Sequence, residues 1–133
     1  MGLEKIVSDF GTALGRLKEA YQRALDRKQE DYPFFRDSAI QRFEFTVEIF
    51  WKCLKAYLKE REGIDCRSPK SCIREFFSVG HLTEDQAMLL LEMIDSRNLT
   101  SHTYREEVAE RIFFKLSEYI KILEKVLERL KTE

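Results

Sequence analysis

Apolar residues recur at steps of three and four along most of this chain, interrupted by a few short polar stretches. Leu3, Ile6, Val7, Phe10, Leu14, Leu17, Tyr21 and Leu25 form the first such stripe. That spacing predicts an amphipathic helix over residues 3–28 with one buried face. Residues 29–37 break it, because Pro33 pushes the residue before it out of the helical region. A second helix is predicted from 37 or 38 to 60. Ile40, Phe43, Val47, Phe50, Leu54 and Tyr57 make its main stripe, and Phe45, Ile49, Trp51, Cys53 and Leu58 carry it further round. Only a narrow polar line remains: Gln41, Glu44, Glu48, Lys52 and Lys55. A helix apolar on most of its circumference belongs at the centre of a bundle.

Gly63 suits the left-handed position that ends a helix. Ser68-Pro69 then opens a short third helix, serine as N-cap and proline in the first turn. It carries Cys72, Ile73, Phe76 and Phe77 inward and stops near Gly80. Thr83-Glu84-Asp85-Gln86 is a capping box for a fourth helix, which Met88, Leu91 and Ile94, with Leu89 or Leu90 as a further candidate, bury. Thr103-Tyr104-Arg105-Glu106 has the same form, so Thr103 is expected to cap a last helix over 104–131. The main stripe of that helix is Val108, Ile112, Leu116, Tyr119, Leu123, Val126 and Leu130. A second line, Phe113, Ile120 and Leu127, repeats every seven residues. It is surplus to the needs of a small monomer and predicts a helix-to-helix contact between subunits. The expected fold is all-α: one domain over 1–133, an antiparallel bundle of about five helices, with a four-helix up-and-down core plus a short helix, dimerising.

Composition narrows the function. The formal charge of −1 supplies no global basic field, which argues against a dedicated high-affinity DNA or RNA binder. Any RNA contact must come from a local cluster. Cys53, Cys66 and Cys72 have no CxxC spacing and an odd count, which suits reduced thiols in a cytoplasm better than a disulfide framework. His81 and His102 are too few for a zinc pattern, and neither a metal nor another cofactor is expected. His81 falls in a connecting turn and reads as a loop histidine. No basic segment followed by an apolar core begins the chain, and no run approaches the ~18 apolar residues of a membrane span. The expected location is cytoplasmic.

The candidate chemistry is concentrated in residues 97–104, where Arg97, Asn98, His102, Tyr104 and three hydroxyls stand between two apolar helical stretches. Arg97 and His102 are five residues apart, about 500° of turn in a continuous helix at ~100° per residue. They meet only if the helix breaks between them or a second subunit brings them together. Arginine forks two hydrogen bonds onto a phosphate, and histidine moves a proton near neutral pH. Asn98 can hold a substrate oxygen or orient the imidazole. These are the minimum parts for cutting RNA without a metal, with a base on the ribose 2′-OH and a fixed cation on the phosphate. The alternative is a polar helix junction in which Arg97 meets Asp95 or Glu48, Asn98 and Thr103 cap backbone groups, and His102 is structural. Glu44 and Glu48 likewise read either as a solvated strip, with Glu48 and Lys52 a favourable i,i+4 pair, or as a groove wall near Arg97.

Arg97-Asn98-x-x-x-His102-x-Tyr104 resembles the R-x4-6-H motif of HEPN domains. Four further segments resemble one branch of that superfamily, the nucleotidyltransferase substrate-binding proteins. They are Gln41-Arg42-Phe43-Glu44-Phe45-Thr46 with Glu48; Trp51-Lys52-x-Leu54-Lys55-x-Tyr57-Leu58; Ser68-Pro69-x-x-x-Ile73-Arg74-Glu75; and the aromatic-rich last helix. The resemblance implies a dimeric helical bundle whose two motif copies face each other across a cleft. It implies a partner, a minimal nucleotidyltransferase encoded alongside, in a pair that acts in several cases as toxin and antitoxin. In toxic members the residues matching Arg97 and His102 carry the ribonuclease activity, and Asn98 falls on the polar position after the arginine. Tyr104 falls on the tyrosine that the partner modifies with AMP, although by position alone it also reads as a core aromatic. The resemblance equally admits a noncatalytic subunit that presents substrate to the transferase. Glu44, Glu48 and Thr103 are the candidate substrate-binding residues beside the motif.

Overall fold

The structure, a computed structural model, describes residues 2–132. Every regular element among them is helical: α1 is Gly2–Arg23, α2 Tyr32–Tyr57, α3 Pro69–Ser78, α4 Glu84–Asn98 and α5 Glu106–Thr132. A π-helical turn, Leu58–Glu62, prolongs α2, and a 3-10 turn, Thr100–His102, joins α4 to α5. α2 is the central helix and packs against α1, α3, α4 and α5. Phe10, Phe43, Phe50, Tyr57, Phe76 and Tyr119 are buried among these helices. Phe43 stacks on Tyr119 with ring centres 5.6 Å apart, and Phe10 meets Phe50 at 5.8 Å.

The first two helices differ from the expected boundaries for one reason. Pro33 lies inside the first turn of α2, where its missing N–H would have had no helical partner in any case. α2 therefore begins at Tyr32, and α1 ends at Arg23, leaving Leu25 exposed. The added turn brings Tyr32 and Arg36 onto the buried face of α2. In α4 the buried set is Ala87, Leu90, Met93 and Ile94, while Met88 is exposed. The run Ala87-Met88-Leu89-Leu90-Leu91 is apolar in every phase, so its spacing does not select a face. Gly63 ends the π turn at φ 68°, the left-handed position expected of it. Ser68 and Thr83 cap α3 and α4, with Ser71 and Gln86 reaching back to close both boxes.

The main stripe of α5 is buried as expected, and so is most of the second line. Phe113 packs its ring on Tyr21 and Tyr32 at 5.4 and 5.9 Å. Leu127 lies over Gly11, where a Cβ would stand 3.6 Å from its nearer methyl. The second line thus faces α1 of the same chain rather than a second subunit. At that distance a Cβ would make ordinary contact with the methyl, so the packing of α5 on α1 would admit alanine at position 11.

The cysteines also depart from expectation. Cys66 and Cys72 form a disulfide, their Cα atoms 5.2 Å apart. The N-cap turn at Ser68-Pro69 folds the chain back so that Cys66 lies over the first turn of α3. Cys53 is the free thiol, wholly buried, and burial pushes its pKa up to about 12. A thiol so protonated and enclosed is inert until the fold opens. Alkylation followed by mass spectrometry is expected to label nothing in the native protein, Cys53 alone in denaturant, and all three cysteines after reduction. Labelling of Cys66 and Cys72 without reductant would contradict this pairing. Among the described residues no helix is long and apolar enough to cross a membrane.

Candidate functional site at the junction of the fourth and fifth helices

α4 stops at Asn98 and the chain takes one 3-10 turn before α5. Thr100, buried at the centre of the turn, donates its hydroxyl hydrogen bond to the Arg97 carbonyl at 2.7 Å. The His102 amide donates to the Leu99 carbonyl at 2.9 Å. The helix therefore breaks between Arg97 and His102, the condition under which the two can approach a common substrate. Thr103 does not cap α5. Its hydroxyl donates back to the Thr100 carbonyl at 3.1 Å and its backbone is helical. Glu106 reaches Arg36 instead of returning to Thr103, because the charged partner outcompetes a neutral backbone amide.

Arg97 is half-buried and meets Glu44 across the α2–α4 contact at 3.9 Å. At that separation the pair is a loose one, and its guanidinium remains able to take a second anion. Asp95 pairs with Lys70 at 2.6 Å and Glu48 with Lys52 at 3.5 Å. Glu48 lies along the groove between α1 and α2, with Arg16 and Arg42. Glu44 and Thr103 share a hollow of about 440 Å³ with Phe34, Asp37 and Gln41. Asn98, His102 and Tyr104 are exposed. The His102 and Tyr104 rings lie edge to face, centres 6.1 Å apart. Tyr104 is 76% exposed, so it is a surface phenol and not a core aromatic.

Two polar networks that hydrophobic periodicity did not predict hold this junction. Arg36, 2% exposed, donates to Glu106 at 2.8 and 3.1 Å and to Glu110 at 2.9 Å. Tyr32 donates to Glu110 at 2.6 Å, and Arg27 pairs with the same carboxylate. The hydrogen bond to Glu106 leads in holding the Arg36 pKa above its ordinary value, and it holds the Glu106 carboxyl below its own. Behind Arg97, the Tyr119 hydroxyl meets Ser96 at 2.7 Å and donates to Glu92 at 2.8 Å, while Lys115 reaches Glu92 at 3.1 Å. Burial raises the Tyr119 pKa, so the phenol stays a neutral donor. The first network fastens α2 to the start of α5 and the second fastens α4 to α5. One sequence signal does exist: Arg36 occupies an apolar-stripe position four residues before Ile40, opposite glutamates at i and i+4 on α5.

His81 is likewise more than a loop residue. Its imidazole lies within 3.3 Å of Tyr57 and Glu62 and accepts a hydrogen bond from Arg129 at 3.2 Å. It stacks on Phe76 at the far end of the bundle from Arg97.

Residues 5–132 match the protein family described as nucleotidyltransferase substrate binding protein like. A Haemophilus influenzae protein named Probable ribonuclease HepT is 29% identical over 97 residues, 70% of this chain and 65% of that relative. The alignment thus spans just under two thirds of the relative's length. A crystal structure of a Thermus thermophilus protein superposes with a TM-score of 0.82 at 48% identity, covering 91% of this chain and 98% of the other. A Haemophilus influenzae structure, reported to reveal the fold of a substrate binding domain of a nucleotidyltransferase, superposes at 0.81 with 23% identity, over 94% and 98% of the chains. At that identity the likeness is one of fold.

Proposed function

The chain belongs to the nucleotidyltransferase substrate binding protein-like family, and we propose that it is the HEPN-type subunit of a pair with a minimal nucleotidyltransferase, cutting RNA without a metal. In this reading the pair is a toxin and antitoxin. His102 takes the proton from a ribose 2′-OH, whose oxygen attacks the adjacent phosphorus as the bond to the 5′ oxygen breaks. Arg97 steadies the charge that grows on the phosphate, and Asn98 fixes a substrate oxygen or the imidazole. The single observation that carries this is the helix break at residue 99. It leaves an exposed imidazole, with no hydrogen bond to its ring among the described residues, one turn from a loosely paired guanidinium.

Glu44 and Thr103 line the hollow beside the motif, and we assign them to substrate contact; Glu48 stands further along α2 on the same polar line. A homodimer in which two junctions face each other would enclose the substrate. Tyr104, exposed and beside His102, is the acceptor for AMP from the partner enzyme. A phosphodiester there competes with RNA for Arg97.

A second reading, a noncatalytic subunit presenting substrate to the transferase, is favoured by one specific feature. Glu44 sets a carboxylate against Arg97 and weakens its field toward a phosphate. Purified protein incubated with single-stranded RNA in EDTA discriminates the two. Cleavage that disappears when the partner transferase and ATP add AMP to Tyr104, but persists in Tyr104→Phe, is the expected result. Tight association with the transferase and no cleavage under any condition would leave the second reading.

A further inference from the structure

The outer face of α5 is crossed by neither polar network, and its residues share a pattern. Counting at ~100° per residue, Glu107, Arg111, Phe114, Glu118, Lys121, Lys125 and Arg129 fall on one strip of the helix. All are exposed, and Phe114 is 72% exposed although it is a large apolar ring. Glu118 is engaged by Lys115 at 3.3 Å. Among the described residues no carboxylate lies within ion-pair distance of Arg111, Lys121, Lys125 or Arg129. Several part-exposed cations elsewhere are paired, among them Lys18, Lys52 and Lys70, while Arg16, Arg74 and Arg105, also without a carboxylate among the described residues, are scattered rather than aligned on one helix face. Lys121, Lys125 and Arg129 follow one another at four-residue steps, a rise of about 6 Å each. The strip ends in a small hollow of about 140 Å³ lined by His81, Gln86, Lys125 and Arg129.

We propose that this face of α5 is a track for single-stranded RNA, leading substrate along the bundle toward the Arg97–His102 junction. The proposal rests on the ribonuclease reading above for its choice of ligand. Evenly spaced cations without carboxylate partners neutralise successive phosphates, and an exposed aromatic ring offers a stacking platform to any unpaired base. A duplex hides its bases from such a ring, so the combination selects a single strand. The track supplies locally the positive charge that the chain as a whole, at −1, does not have. Its first cation, Arg111, lies less than two turns into α5 from the exposed Tyr104.

The test is fluorescence anisotropy of a labelled 12-nucleotide oligouridylate on the full-length His102→Ala protein, titrated at several potassium chloride concentrations. Combined K121E, K125E and R129E substitutions are expected to weaken binding at least tenfold. They are also expected to lower the slope of log affinity against log salt by about 2, at ~0.7 per phosphate contact on a single strand. Phe114→Ala is expected to weaken binding roughly tenfold with the slope unchanged. Both variants alter only exposed positions, and thermal unfolding checks that they are folded. Unchanged affinity and slope in the triple variant would overturn the track. So would a 12-base-pair duplex that binds as tightly as the single strand and ignores Phe114→Ala, since that describes an unspecific basic patch. Cleavage is read separately with His102 restored. A dinucleotide should be cut equally by parent and triple variant while a 20-mer is cut more slowly by the variant. Absence of all cleavage with the anisotropy result intact would remove the ribonuclease reading and leave the RNA-binding face standing.

Discussion

His102→Ala is expected to slow RNA cleavage by roughly 100- to 10,000-fold, the usual loss when a positioned general base is removed. Thermal unfolding should not change, because the imidazole is exposed and its ring meets the equally exposed Tyr104, with no hydrogen bond to it among the described residues. Arg97→Ala is expected to cost about 100- to 1,000-fold, as for removal of one group aimed at developing charge. Arg97→Lys keeps the charge but loses the two-pronged grip on phosphate oxygens, and should fall between the two proteins. The double variant should be little worse than His102→Ala alone, since groups that act on one transition state are not additive. Substrate affinity separates the roles: Arg97→Ala should raise KM as well as lower kcat, while His102→Ala should act on kcat. Initial rates on a fluorogenic oligoribonucleotide in EDTA measure all four. Full activity in His102→Ala would remove the imidazole from the mechanism.

Arg36→Ala is expected to destabilise the fold by about 3 kcal/mol, the order seen when one partner of a buried ionic cluster is deleted. Arg36 is almost fully enclosed, and removing it takes one of three partners from the half-buried Glu110 and leaves a cavity behind. The melting temperature should drop by roughly 10 °C for a chain of this length. Arg36→Lys should recover only part of the loss, because a point charge cannot bridge Glu106 and Glu110 together. Acid titration gives an independent signature. Glu106 has its pKa depressed by Arg36, so the stability it contributes is present above the ordinary carboxylate value of 4.5 and is lost as pH falls through the depressed one. The native protein should therefore lose stability on acidification below about pH 4.5 more steeply than Arg36→Ala does. The raised Arg36 pKa has no consequence at working pH, since arginine is charged throughout. Identical acid unfolding of the two proteins would show that the Arg36–Glu106 contact contributes nothing.

The helices were legible because their stripes are regular, and the caps at Ser68 and Thr83 because their chemistry is local. Three things escaped for physical reasons. Pro33 serves equally to end one helix or to begin the next, and only packing of Tyr32 and Arg36 decides between them. Phe113, Ile120 and Leu127 are apolar whether they face a second subunit or the same chain, and only the tertiary placement of Tyr21, Tyr32 and Gly11 against that line decides between them. Cys66 and Cys72 pair because a turn brings them together, which spacing alone does not reveal. The functional stretch itself was legible, since the residues of 97–104 are consecutive. Its surroundings were legible only in part: Glu44 does stand near Arg97, one of the two readings of the Glu44–Glu48 line, but Asp95 and Glu48 pair elsewhere, and Glu106 serves Arg36 rather than Thr103. Those pairings are tertiary, between groups that many arrangements of the same bundle would satisfy.

Cleavage of this kind requires a guanidinium and an imidazole, parted by a helix break, to act together on one phosphodiester. The most direct measurement is mass spectrometry of the products from a defined oligoribonucleotide digested in EDTA, beside the same strand carrying a single 2′-deoxy sugar at the cut. The expected result is a 2′,3′-cyclic phosphate on one fragment, a free 5′-hydroxyl on the other, and an intact deoxy strand. Cutting of the deoxy strand, or a 5′-phosphate at the new end, would contradict it.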